Sequence, residues 1–86
     1  MTKVSIAKNY IEISGHSPQR VVCHGISATS QMTANYLERR NLAKVKVGDG
    51  YFRIEFENFH PVLDAFYEAL QDIDAEYPGN IKFEYV

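Results

Sequence analysis

The chain has 86 residues, enough for one domain with a thin core: a chain of this size buries roughly 60–65% of the surface it exposes when unfolded. It is 45% hydrophobic and 13% aromatic, a globular rather than a disordered composition. Nine Lys+Arg against eleven Asp+Glu give a formal net charge of −2, which argues against the basic stripe of a dedicated nucleic-acid binder. The expectation is a single domain over residues 1–86, with no linker, repeat or low-complexity segment. No apolar run is long enough to span a membrane. The first residues alternate and turn polar early, unlike a signal-peptide core. A lone cysteine forms no internal disulfide, so a reducing, cytoplasmic setting is the default expectation.

Val4-Ser5-Ile6 and Ile11-Glu12-Ile13 both alternate, with Lys8-Asn9 between them, and predict two strands in a tight hairpin. Ser14-Gly15-His16-Ser17-Pro18 ends the second strand, because Pro18 lacks a ladder donor. From Gln19 to Arg40 only Gly25 interrupts a helical pattern whose small residues, Gly25, Ser27, Ala28, Thr29, Ser30, Thr33 and Ala34, read as core packing against a sheet or a partner. Val45 and Val47 alternate with lysines, and Gly48-Asp49-Gly50 is a turn in which Asp-Gly suits two positive φ values. Phe52, Ile54 and Phe56 give the clearest strand. Pro61 suits the first position of a second helix, where Phe59, Leu63, Phe66, Leu70, Ile73 and Tyr77 form one apolar stripe read as core. Pro78-Gly79 stops it, and Ile81, Phe83 and Tyr85 form a last strand, facing inward.

The order ββαββαβ predicts an α+β fold, a two-layer sandwich with a mixed or antiparallel sheet and both helices on one face. The other face would show Ser5, Tyr10, Glu12, Lys46, Tyr51, Arg53, Lys82 and Glu84, a mixture that tolerates water. The tyrosines could stack on bases, but the interleaved glutamates disfavour nucleic acid.

Chemistry concentrates in EISGHSPQRVVCHGIS, residues 12–27. His16 falls at a strand end and Cys23 in the first turn of a helix, six residues on. Unpaired N–H groups and the macrodipole at a helix start favour a thiolate and could bind the oxyanion formed when it attacks a carbonyl. A neighbouring imidazole would take the thiol proton and return it to the leaving amine. Arg20, one turn before Cys23, would add positive charge. The alternative is that Cys23 is packing, since cysteine is among the most buried residue types. His24 is a rival base, but about 100° round the helix it should point elsewhere. His60 reads as a helix cap or surface residue. The three histidines and one cysteine have no recognisable metal-ligand spacing, and no cofactor is implied.

Ser14-Gly15-His16, the Val22-Cys23 helix start with Ser27 four residues after the cysteine, the Gly48-Asp49-Gly50-Tyr51 hairpin, and Tyr77-Pro78 followed by Ile81-Lys82 together give the chain its resemblance to the Prp family of ribosomal-processing cysteine proteases. That resemblance runs nearly end to end. It implies a cytoplasmic, bacterial or phage-encoded endopeptidase that works as a homodimer. Its substrate would be a protein N-terminus, a short extension of a large-subunit ribosomal protein cut after an aromatic residue. Cys23 would be the nucleophile, His16 the general base, and Ser27 a residue that hydrogen-bonds the cysteine or orders the site, with small-residue packing as its alternative. The chain departs from the family where His and Cys are joined. Family members have a longer, mobile connection with glycines and an acidic residue shortly before the cysteine. Here Ser17-Pro18-Gln19-Arg20-Val21-Val22 contains no glycine, Arg20 stands where the acid is expected, and His24 replaces a small residue after the cysteine. That departure motivates a second reading, a non-catalytic dimeric protein-binding module that keeps the fold.

Overall fold

The computed structural model describes all 86 residues. The elements run β1 (Thr2–Ile6), β2 (Tyr10–Ser14), α1 (Arg20–Arg39), β3 (Lys44–Gly48), β4 (Tyr51–Glu55), α2 (Pro61–Glu76) and β5 (Ile81–Tyr85). The α+β, ββαββαβ order read from the sequence is the observed one. The five strands form one mixed sheet in the order β3-β4-β2-β1-β5. Three neighbouring pairs are antiparallel, and β1 pairs with β5 in parallel, Val4 opposite Phe83. The parallel pair follows from the crossover through α2, which returns the chain to the sheet running in the direction of β1.

Period-two alternation divides each strand between two faces. Val4, Ile11, Ile13, Phe52 and Ile54 point towards the helices and are buried with Val22, Ile26, Ala34 and Leu37 of α1 and Leu63, Phe66 and Leu70 of α2. Two helical threonines satisfy their hydroxyls along α1: Thr29 Oγ1 donates to the Gly25 carbonyl at 2.8 Å and Thr33 Oγ1 to the Thr29 carbonyl at 2.9 Å. This lets polar side chains sit on or beside the buried stripe without an unpaired donor.

Four details differ from expectation. Phe59 is not part of the core stripe: it precedes α2 and is 61% exposed. The helix begins at Pro61 behind an N-cap His60, whose Nδ1 accepts the Val62 N–H at 3.0 Å, so Phe59 lies off the helical period. Tyr85 shares the helix-side face of Ile81 and Phe83, its ring edge-on to Tyr67 of α2 with the two hydroxyls hydrogen-bonded, but on the edge strand β5 it is 69% exposed rather than buried. In the β3–β4 turn only Gly50 takes a positive φ, +62°, and Asp49 does not. Ser27 and Ala28 belong to the exposed side of α1, and of its small residues Ser30, Thr33 and Ala34 are the buried ones.

The outer face carries a row of residues in register across the whole sheet: Glu84, Ser5, Glu12, Arg53, Lys46. Glu12 Oε2 accepts from Arg53 Nη1 at 2.9 Å and from the Tyr51 hydroxyl at 2.8 Å. The Arg53 hydrogen bond, then the Tyr51 one, hold the Glu12 carboxyl below its ordinary range, and Glu12 in turn pushes the Tyr51 phenol up. The Glu12 contribution is therefore present above the pKa of the unfolded chain and lost as pH falls through the lower folded value. Glu12→Gln is expected to lower Tm by a few degrees at pH 7 and to flatten the decline of Tm between about pH 5 and pH 3. Thermal unfolding followed across that range checks it.

Candidate active site

The chain leaves β2 through Gly15, whose φ is +86° and where a Cβ would fall 2.6 Å from the Met1 carbonyl oxygen. Only glycine passes that point without strain or collision. The Gly15 N–H donates to the Gly50 carbonyl at 2.9 Å, tying the end of β2 to the β3–β4 turn. His16 follows at once, and its ring lies on that turn. A Cβ built on Gly50 would come 2.7 Å from His16 Nε2, so the bare glycine backbone is what accommodates the imidazole. Asp49 Oδ1 stands 3.9 Å from the same nitrogen. Both side chains are well exposed, so water screens the pair and it orients the ring only weakly.

Cys23 is the fourth residue of α1, half-buried. Its sulfur is held by the backbone of a single residue: the Ser17 N–H donates to Sγ at 3.3 Å, and the Sγ–H reaches the Ser17 carbonyl at 3.6 Å. His16, Cys23 and Ser27 all line one cleft of about 340 Å³, between the first turns of α1 and the β3–β4 turn, with an apolar floor of Ile13, Ile26 and Phe52. Ser30, buried at that floor, has an Oγ with no protein partner.

Several sequence expectations about this region change. The sulfur's hydrogen-bond partner is Ser17, not Ser27, because the six-residue connection folds back over the helix start and places its own peptide there first. Arg20 does not line the cleft; as the first residue of α1 it is exposed on the helix exterior. The Cys23 N–H is already engaged, donating to the Gln19 carbonyl at 3.4 Å, and Val22 donates to the same oxygen at 3.1 Å. That leaves the N–H groups of Arg20 and Val21 free in the first turn, and neither residue lines the cleft. An oxyanion hole built from the α1 N-terminus is thus not formed by this arrangement. His24, expected to point away, does line the cleft, so both His16 and His24 border the space that Cys23 lines. A rotation of 100° carries a side chain off its neighbour's axis but not out of a cleft that spans three turns of helix.

Sequence reasoning missed Ser17 and Asn80. Ser17 is buried, with its Oγ 2.5 Å from Thr2 Oγ1 and donating to the Asn80 carbonyl at 3.0 Å. Asn80 Oδ1 accepts the Gln19 N–H at 3.2 Å. The only signal available in the sequence was that the connection is too short to be a free loop. No group of three or more His, Cys, Asp or Glu side chains is placed to hold a metal ion, and no helix is long and apolar enough to cross a membrane.

The chain is thus a two-layer α+β sandwich in which a half-buried cysteine at the start of the first helix and a histidine from the preceding strand end line one cleft. The family model for the cysteine protease Prp matches residues 1–82, and the chain belongs to that family. Among solved structures it is similar to the essential ribosomal processing protease Prp from S. aureus. The complex with a covalently linked product peptide matches at 24% identity with a TM-score of 0.87, and the complex with a substrate peptide at 22% and 0.87, each covering 100% of both chains. SMU.848 from Streptococcus mutans matches at 18% identity with a TM-score of 0.70, over 99% of this chain and 91% of that one. At these identities the likeness is one of fold. No curated protein sequence matches the chain.

Gly50→Ala would place a methyl group on the His16 ring and force a left-handed backbone on alanine. The expected result is a loss of stability of about 1 kcal/mol and a displaced imidazole. Thermal unfolding and the His16 ring chemical shifts report the two effects separately.

Proposed function

We propose that the chain is a cysteine endopeptidase in which Cys23 is the nucleophile and His16 the general base. The observation that carries this reading is the shared cleft: a sulfur held at the start of α1 faces an apolar-floored groove whose other wall bears the imidazole. The sulfur loses its proton to His16 and attacks the peptide carbonyl carbon. The tetrahedral adduct collapses with protonation of the leaving amine by the imidazolium, giving a thioester. Water, deprotonated by the same imidazole, hydrolyses the thioester and returns the thiol. In the free protein the imidazole rests against Gly50 and Asp49, and its side chain is 68% exposed. It is free to turn to the sulfur as substrate fills the cleft, and catalytic contacts of this kind tighten on binding.

Membership of the Prp family supports a substrate that is a protein N-terminus, a short extension of a large-subunit ribosomal protein, and a working form that is a homodimer of one catalytic unit spanning residues 1–86 in a reducing compartment. One observation favours a second reading, a non-catalytic dimeric binding module. In this chain the connection between His16 and Cys23 is short and pinned, and both hydrogen bonds of the sulfur go to Ser17 rather than to an imidazole.

A peptide spanning the N-terminal extension, incubated with the protein and read by mass spectrometry, separates the readings. Cleavage that disappears in Cys23→Ala, with the fold retained by circular dichroism, supports the protease. An intact peptide with the wild-type protein supports the binding module. His16→Ala is expected to reduce cleavage by roughly 100- to 10,000-fold, the range of a lost general base. It should also slow alkylation of Cys23 by iodoacetamide at neutral pH; an unchanged labelling rate would break the pairing.

A further inference from the structure

Asn80 lies in the turn between α2 and β5, far along the chain from Cys23, and is 3% exposed. Its side chain is fully engaged. Oδ1 accepts the Gln19 N–H at 3.2 Å, and Nδ2 donates to Gln19 Oε1 at 2.7 Å and to the Tyr77 carbonyl at 3.0 Å. Its carbonyl accepts from the Ser17 hydroxyl at 3.0 Å and from the Thr2 N–H at 2.9 Å. Because the single Ser17 hydroxyl hydrogen goes to Asn80, the Thr2 hydroxyl donates to Ser17 Oγ. Residues on both sides of Pro18 are thereby fastened to Asn80, Ser17 to its main-chain carbonyl and Gln19 to its side-chain amide.

The consequence reaches the sulfur. Ser17 presents its N–H and its C=O to Cys23 Sγ at once. The two contacts act oppositely on ionisation: the N–H favours the thiolate, whereas the carbonyl favours the protonated thiol. Their balance depends on how the Ser17 peptide is tilted, and that tilt is set by the bonds on either side of Pro18. We propose that Asn80 is a positioning residue for Cys23, fixing the Ser17 peptide whose hydrogen bonds govern the reactivity of the sulfur. The role rests on the reading of Cys23 as nucleophile, but the geometry is its own. Asn80 spends two of its three side-chain hydrogen bonds on the His16-to-Cys23 connection, where a residue serving only to stop α2 would need the Tyr77 contact alone.

The wild-type protein gives a direct measurement. In a pH titration followed by NMR, the Ser17 amide proton should move strongly downfield with the same midpoint as the Cys23 Cβ. A Ser17 amide that does not follow Cys23 overturns the proposal, and this holds whether or not any variant folds. Asn80→Ala removes the two Gln19 bonds and keeps the main-chain carbonyl that holds Ser17; alkylation of Cys23 by iodoacetamide at pH 7 is then expected to be about tenfold slower, with its pH profile displaced to the alkaline side, as for a weakened hydrogen bond to a charged acceptor. Cleavage should lose kcat with KM little changed. Ser17→Ala should behave likewise, and Ser17→Thr, which keeps the hydroxyl, should restore the profile. The other titratable groups of the cleft, His16, His24, Asp49 and Tyr51, are present in all these variants, so the displacement reports the Ser17 peptide. A folded Asn80→Ala protein with wild-type alkylation and cleavage overturns the role of Asn80 and leaves the protease intact. A wild-type protein that cuts nothing while its Ser17 amide tracks Cys23 removes the protease and leaves the positioning.

Discussion

Three segments distant in sequence meet at one small group of buried polar atoms: the start of β1 at Thr2, the His16-to-Cys23 connection at Ser17 and Gln19, and the α2–β5 turn at Asn80. Each of these groups would cost roughly 1–3 kcal/mol if buried without a partner. They are therefore bonded together or the interior does not close there. Thr2 and Asn80 join the parallel pair β1 and β5 at its first residues, where Thr2 lies opposite Ile81. Ser17 and Gln19 join the same knot to the helix that carries the cysteine. The placement of the sulfur and the closing of the sheet are consequently one event, and neither can shift alone.

That coupling gives physical meaning to the shortness of the connection. A longer loop would move independently of the sheet and could fold over a bound peptide. Six residues, one of them proline, pinned by the main-chain carbonyl and the side chain of Asn80, leave little freedom to do so. The groove beside Cys23 is bounded instead by the β3–β4 turn, where Gly50 makes room for the His16 ring and Asp49 stands next to it. The mouth of the groove is then set by the α1 wall and a hairpin turn that the Gly15 N–H ties to the end of β2. The second imidazole, His24, borders the same space as His16.

The outer face of the sheet follows a different rule. All three of its carboxylates are paired within the sheet: Glu84 with Lys3 at 3.1 Å, Glu12 with Arg53 at 2.9 Å and Glu55 with Lys46 at 3.4 Å. Arg53 also lies over the Tyr10 ring at 3.9 Å. Register puts five cations, Lys3, Lys44, Lys46, Arg53 and Lys82, on this face with three carboxylates, Glu12, Glu55 and Glu84, and the interleaved carboxylates break any continuous cationic track. The face solvates the sheet and leaves the chemistry to the side covered by helices.

Much of this was legible in the residues themselves. Alternation placed Val4, Ile11, Ile13, Phe52 and Ile54 on the buried face, and the stripe of Leu63, Phe66 and Leu70 marked α2, because strand and helix periods are local properties of the chain. Pro61, Gly50 and Pro78-Gly79 punctuated the elements through backbone chemistry that any fold would respect. The cysteine, the histidine at a strand end and the brief link between them could also be named from sequence. What only the tertiary structure decided were the relations across the fold: the parallel pairing of β1 with β5, the exposure of Phe59 and Tyr85, the entry of His24 into the cleft, and the capture of the sulfur by Ser17 under the hold of Asn80. These depend on which distant groups must satisfy one another once water is excluded, and no local period or propensity carries that information.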